Sequence, residues 1–256
     1  MVDAGHDLDA PVALVLVTPG MSEQAFIPMV EALERAGMDA WTVRILPFAP
    51  LPDDRADEWV AQQLLPWAIQ DLRKRDPRAT DQLALVGHGP GGTLALMTAE
   101  RAKPEAVAVL GPPMGPIDTA AAAWLAELEL PPHGNVDLGA PTDWNGHDLS
   151  TLLLGEPRPA LEPLPVPMAR AYLRWISDGP PVTPNAIECP IWIGAGAMDR
   201  LVPIESMRVP SQTLGHRHFV RFGLLRLDPE DPGSGQLLAE RRYLDVMARW
   251  VEEALD

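Results

Sequence analysis

The sequence predicts an α/β fold: a mostly parallel sheet flanked by helices on both faces, with a helical and loop segment inserted as a cap. Two observations support this prediction. Short, continuously apolar segments alternate with longer segments in which apolar residues recur at helical spacing. Glycine and proline separate these segments. This alternation is typical of parallel strands that are buried on both faces and joined by helical crossovers.

The apolar runs define the predicted strands, and the helical periodicity defines the segments between them. We predict strands at residues 11–17, 39–46, 83–86, 106–110, 190–196 and 219–227. We predict helices from about residue 26 to Gly37, at 56–75, from Thr93 onward and at 237–255. Pro66 lies inside the second of these helices and should kink it, because proline removes a backbone donor.

The pattern changes between residues 117 and 184. An alanine-rich helix is predicted at 118–130, a loop rich in proline and glycine at 131–148, and a second helix near 167–176. Long loops within a compact domain are usually functional or disordered. We therefore expect residues 1–116 and 185–256 to form the core, and residues 117–184 to form the cap.

Composition excludes several classes of function. A net charge of −16 argues against binding to nucleic acid or to an anionic membrane surface. The single cysteine, Cys189, excludes an intrachain disulfide and is expected to be buried. No apolar run is long enough to span a membrane, and the acidic N-terminus lacks the basic region of a signal peptide. These features favour a cytoplasmic location.

Three motifs occur at the predicted ends of strands. TPGM covers residues 18–21, GHGPGG covers residues 87–92, and GAGAMDRLVP covers residues 194–203. The second motif joins a strand to a helix through glycine, which is the setting of the G-x-S-x-G nucleophile elbow. In their order and placement the three motifs resemble those of the α/β-hydrolase family. The resemblance covers nearly the whole chain, including the position and length of the cap.

This resemblance implies a role for each motif. TPGM stands where the family has its oxyanion loop, and GHGPGG stands where the family often has GHSxGG. Asp199 corresponds to the family's acid, and Ser234 is the best match for the position of its histidine. The family's serine is replaced by Gly89, which has no side chain. The following residue is Pro90, which has no N–H to serve as an oxyanion donor.

The histidines also depart from the family pattern. All six lie at positions 6, 88, 133, 147, 216 and 218, and none follows the last predicted strand. Because serine, oxyanion donor and histidine are all missing from their places, we expect a degenerate, non-catalytic triad at Gly89, Asp199 and Ser234. A non-hydrolytic protein that binds a small apolar ligand or a partner protein is the resulting expectation.

Several residues have a structural as well as a functional interpretation. Gly89 and Pro90 could form a relaxed turn or a widened pocket floor, and His88 is expected to be a core histidine. Asp199 could cap a helix or line the pocket. Trp144 and Trp175 could line an apolar pocket, whereas Trp192 and Trp250 are expected in the core. The predicted ligand pocket comprises Gly20, Met21, His88, Gly89, Pro90 and Asp199.

Two other functions stay open at this stage. One is an enzyme of another class, such as a lyase, an isomerase or a water-activating hydrolase, in which Asp199 acts with His88 or with a cap histidine, His133 or His147. The other is a structural subunit of a larger assembly. The spacing of His133, Asp137, Asp143 and His147 matches no metal-ligand pattern, so we expect neither a metal nor a cofactor.

Overall fold

The six predicted strands form one parallel sheet. In this computed structural model, the described residues are 9–44, 51–52, 55–113, 128–139, 161–182, 186–196, 220–225 and 236–256. Within them the strand order is β2-β1-β3-β4-β7-β8, and every pairing in this sheet is parallel. The strands are β1 (Val12–Val17), β2 (Asp39–Arg44), β3 (Leu83–His88), β4 (Ala106–Leu110), β7 (Ile191–Gly196) and β8 (Val220–Leu225). The predicted fold class is therefore confirmed.

Helices cover both faces of this sheet. The chain passes from β1 outward to β2, but from β3 to β4 in the opposite direction, so right-handed crossovers place α1 and α5 on opposite faces. Helix α1 packs against the C-terminal helix α8, and α3 packs against α5. The helices of the core are α1 (Ile27–Arg35), α2 (Ala56–Trp59), α3 (Leu65–Arg75), α4 (Arg78–Asp81), α5 (Gly89–Ala102), α7 (Gln236–Ala239) and α8 (Arg241–Leu255).

Two predicted helices are interrupted in the structure. In the helix predicted at 56–75, a π-helical turn, Val60–Leu64, lies between α2 and α3, and Pro66 lies in the first turn of α3. The kink predicted at Pro66 stays a prediction. The predicted helix at 237–255 is divided at Glu240 into α7 and α8. All the predicted core positions of its last part are buried: Leu244, Met247, Trp250, Val251 and Leu255.

The core lies on both sides of the central strands. Strands β1, β3, β4 and β7 are buried at every position, as their continuous apolar sequences predict. Trp192 and Trp250 are both buried, with their ring centroids 5.8 Å apart, as expected for core residues. Cys189 is also buried, and desolvation raises the pKa of its thiol to about 12.

The described part of the predicted cap contains one long helix. Helix α6 (Val166–Asp178) confirms the helix predicted near 167–176. A two-residue strand β5 (Asn135–Val136) lies within the predicted loop and pairs antiparallel with β6 (Leu164–Pro165). Residues 128–130, the end of the predicted helix 118–130, are not helical, and residues 118–127 lie outside the described residues. The division of the chain into core and cap stays a prediction.

Candidate functional site

The sheet topology marks one position for a site. The direction of chain travel reverses between β1 and β3, which are adjacent in the sheet. In open α/β sheets, ligands bind in the crevice outside the carboxyl ends of the strands at such a reversal. Here the carboxyl ends lead into the turn at residues 18–21 and into the bend at Gly89. The TPGM and GHGPGG motifs therefore lie side by side.

The bend after β3 has the backbone of an elbow. His88 is extended (φ −125°, ψ 147°), Gly89 has a positive φ of 51°, and α5 begins there. This left-handed conformation favours glycine, since L side chains rarely adopt it. A Cβ added at Gly87 would lie 2.6 Å from the Gly91 carbonyl oxygen. The predicted sharp turn is present, and its glycines permit a close backbone approach.

Thr18 fixes the bend to the end of β1. Its hydroxyl donates a hydrogen bond to the His88 carbonyl (2.7 Å) and accepts one from the Gly91 N–H (3.2 Å). A Cβ at Gly91 would lie 2.7 Å from the Thr18 Oγ1 atom and 2.9 Å from the Leu16 carbonyl oxygen. The side chain of Thr18 is fully buried. One hydroxyl therefore sets the distance between the two motifs.

The turn at 18–21 is covered by residues 161–162, which lie within the predicted cap. The Met21 N–H donates to the Thr18 carbonyl (2.9 Å), and Gly20 adopts a φ of +95°. Leu161 pairs with Met21 in an antiparallel bridge, and the Glu162 N–H donates to the Gly20 carbonyl (2.9 Å). The Met21 side chain is buried. Sequence reasoning missed the 161–162 segment, because no motif distinguishes these residues from a loop.

The Glu162 carboxylate also anchors this segment to the edge of the sheet. It accepts hydrogen bonds from Arg44, the last residue of β2, which lies near Glu23 as well. These charges are partly exposed, so the pair holds the segment without a large desolvation cost.

Helix α6 contacts this turn through Tyr172 and contacts α2 through the neighbouring Arg174 and Trp175. The hydroxyl of Tyr172 lies 3.5 Å from the Pro19 carbonyl oxygen. One turn further along, the Trp175 Nε1–H donates to Asp57 on α2 at 2.7 Å. Asp57 also accepts a hydrogen bond of 2.7 Å from Arg174. Asp57 lies in the polar segment ADEW, so its sequence context gave no sign that this carboxylate is buried.

Some of the predicted site residues belong to the described part of the chain, and others lie outside it. Gly20 and Met21 lie beside His88, Gly89 and Pro90 at the carboxyl ends of β1 and β3. His88 is fully buried, as expected of a core histidine, and Trp175 is buried rather than exposed in a pocket. His133 is exposed. The following lie outside the described residues: His6, Asp143, Trp144, His147, Asp199, His216, His218 and Ser234.

Comparison with known proteins gives a fold and no sequence family. No protein-family model matches the chain, and no curated protein matches it. Among solved structures, an α/β hydrolase enzyme from a Medee basin deep-sea metagenome library aligns with a TM-score of 0.56 at 15% identity, covering 100% of this chain and 89% of its own. The fold is that of the α/β-hydrolases.

Other structures with this fold are named for their activity. A monoacylglycerol lipase from Paleococcus ferrophilus aligns with a TM-score of 0.58 at 14% identity, covering 96% of each chain. The esterase domain of a Rhodothermus marinus protein aligns with a TM-score of 0.56 at 18% identity, covering 100% of this chain and 90% of its own.

These neighbours correct the functional expectation drawn from the sequence. The interpretation as a non-hydrolytic protein is contradicted by the structural neighbours, which include esterases and lipases. That interpretation took the absence of the family's serine, oxyanion donor and histidine from their usual positions as the absence of hydrolysis. Hydrolysis requires an attacking oxygen, a proton acceptor and oxyanion donors, and these need not come from the positions used in the serine triad. The backbone of the elbow itself is retained.

None of the described helices is both long enough and apolar enough to span a membrane.

Proposed function

We propose that this chain hydrolyses carboxylic esters at the carboxyl ends of β1 and β3. The observation that carries the proposal is the elbow: Gly89 has a positive φ at the junction of β3 and α5, and Thr18 ties this junction to the 18–21 turn. The esterases and lipases among the structural neighbours support the choice of an ester as the substrate. The cap segment leading into α6 would cover the bound ester.

The residues at the bend restrict how the reaction proceeds. An oxygen nucleophile adds to the ester carbonyl carbon, and the alcohol then leaves with a proton. Gly89 has no side chain, so the attacking oxygen comes from another hydroxyl group or from water. Pro90 and Pro19 have no N–H, and the Met21 N–H already donates to the Thr18 carbonyl, so the Gly20 N–H is the oxyanion donor that we propose from the 19–21 turn. Asp199 is proposed as the carboxylate that assists proton transfer.

Ester turnover tests the proposal directly. The purified protein is assayed with p-nitrophenyl acetate, butyrate and decanoate, against heat-denatured protein as the blank. We expect turnover of at least one ester, and we expect Asp199→Asn to lower kcat by about 100-fold, as is typical for loss of a proton-transfer group. Asp245→Asn on α8 is the matched control, because Asp245 forms an exposed ion pair with Arg35. Absence of turnover with all three esters would refute the proposal.

A second measurement identifies the source of the attacking oxygen. The protein is incubated with a fluorophosphonate, which reacts covalently with activated hydroxyl groups, and its intact mass is recorded. A stoichiometric adduct assigns the attack to a side chain, and peptide mapping locates it. Turnover without an adduct assigns the attack to water.

A further inference from the structure

The carboxylate of Asp57 is buried although it lies on a short helix near the surface. Its side chain is only 1% exposed, and its two oxygens accept hydrogen bonds of 2.7 Å from Arg174 and from the Trp175 Nε1–H. Burial of a carboxylate is costly unless its oxygens are hydrogen bonded and its charge is balanced. Both of these donors belong to α6. The position of α6 against α2 therefore depends on this carboxylate.

The same helix reaches the 18–21 turn through Tyr172. The Tyr172 ring packs on the Trp175 ring, with 5.2 Å between centroids, and its hydroxyl lies 3.5 Å from the Pro19 carbonyl oxygen. Burial raises the pKa of Tyr172 well above its ordinary value, and the charge of Asp57 raises it further. The phenol therefore keeps its proton and remains a donor. Asp57, Trp175, Tyr172 and Pro19 form a continuous series of contacts.

We propose that Asp57 is a positioning residue of the ester site, which acts by holding α6 where Tyr172 supports the 19–21 turn. The inference rests on the proposed function, since that turn is the proposed source of the oxyanion donor. Asp57 itself touches neither the turn nor the bend in any contact described above. Its effect passes through Trp175 and Tyr172. A substitution of Asp57 should therefore affect both α6 and the turn, whereas a substitution of Tyr172 should affect the turn alone.

Hydrogen exchange measured by mass spectrometry tests the series without any assumption about activity. Asp57→Asn removes the charge and should accelerate exchange in peptides covering α6 and residues 18–26 by about tenfold or more, because a hydrogen bond to a charged group is lost. Tyr172→Phe keeps the ring and removes only the hydroxyl. We expect it to accelerate exchange at residues 18–26 while exchange in α6 stays near that of the unmodified protein.

The controls separate this role from a general loss of stability. Glu58→Gln changes the adjacent acidic residue, which forms an exposed pair with Arg55, and should leave both peptides unchanged. Trp175→Phe removes one donor to Asp57 and replaces Asp57→Asn if that variant fails to fold. Acceleration confined to α6, or spread evenly over peptides from β3 and α8, would overturn the proposal.

Kinetics with the most active ester then connect the series to the reaction. A positioning role predicts that Asp57→Asn and Tyr172→Phe lower kcat by about tenfold or more while KM changes little, because small displacements at a site reduce turnover strongly. Unchanged kcat in both variants would overturn the proposal. If the unmodified protein has no turnover, the proposed function fails, and the exchange data still decide whether Asp57 controls the turn.

Discussion

The amino ends of the strands and the carboxyl ends of β1 and β3 are stabilised by different kinds of contact. At the amino ends of the strands, Arg78 donates hydrogen bonds to both oxygens of Asp76 (2.5–3.1 Å), to Asp39 (2.8 Å) and to the Ala10 carbonyl (3.2 Å). At the carboxyl ends of β1 and β3, the contact is made by the neutral hydroxyl of Thr18 and by close glycine packing.

This difference suggests that the two groups of contacts have different roles. Charged side chains that bridge several strands stabilise the sheet. They also create a strong local electric field, and their long side chains are flexible. A short hydroxyl between two backbone groups fixes a distance and leaves the crevice free of added charge. We infer that the amino ends mainly hold the fold together, whereas the contact at Thr18 mainly sets the geometry of the site.

Replacement of Arg78 should give the largest loss of stability. The side chains of Arg78, Asp76 and Asp39 are 11–16% exposed, and the hydrogen bonds that Arg78 donates to Asp76 and Asp39 raise the pKa of the guanidinium above its ordinary value. Arg78→Met leaves two partly buried carboxylates without this cation, so we expect the free energy of unfolding in urea to fall by about 3 kcal/mol. Ester turnover per folded molecule should be unchanged.

Arg35→Met is the matched control for that experiment. Arg35 pairs with Asp245 at 2.7 Å, but both side chains are more than 40% exposed. Exposed ion pairs contribute little, so we expect a loss below about 1 kcal/mol. Equal losses for the two variants would contradict the special role assigned to the amino ends.

Replacement of Thr18 should give a smaller loss of stability and a clear loss of activity. Thr18→Val keeps the shape of the side chain and removes the hydroxyl from between the His88 carbonyl and the Gly91 N–H. We expect the free energy of unfolding to fall by about 2 kcal/mol, because buried backbone groups lose their partner. We also expect kcat for the best ester to fall by about tenfold, because the bend shifts relative to the turn.

Thr18→Ser tests whether the hydroxyl is responsible. It retains the O–H group and should restore most of the turnover lost in Thr18→Val. If Thr18→Val retains full turnover, the bend does not need the hydroxyl, and the inference that the contact at Thr18 sets the geometry of the site is wrong.

The sequence predicted what depends on local pattern. Continuous apolar runs identified β1, β3, β4 and β7, and the spacing of glycines identified the bend at Gly89. These features follow from residue types that dictate their own backbone or burial, so no knowledge of distant partners was needed.

Features that depend on partners distant in sequence were not predictable. Asp57 and Trp175 are 118 residues apart, and nothing in either local sequence indicates that they are hydrogen bonded. The pairing of Leu161 with Met21 also joins residues that are distant in sequence, and neither local sequence indicates it. The functional expectation failed for a related reason: it was drawn from the residues at the family's expected positions, Gly89, Pro90 and Ser234, whereas hydrolysis depends on groups that the fold brings together from several segments.

The last effect we expect is present only at alkaline pH: a loss of stability located at the amino ends of the strands. Cys189 lies just before β7, and burial raises the pKa of its thiol to about 12, above the value of about 8.5 in an unfolded chain. Between these two values the unfolded chain loses the thiol proton and the folded chain keeps it, so stability falls as pH rises. At pH 10 this amounts to about 2 kcal/mol. Cys189→Ala removes this contribution, so the difference in unfolding free energy between pH 8 and pH 10 should be smaller in the variant. Identical pH dependence in the two proteins would show that the thiol ionises normally and that this end of the sheet is open to solvent.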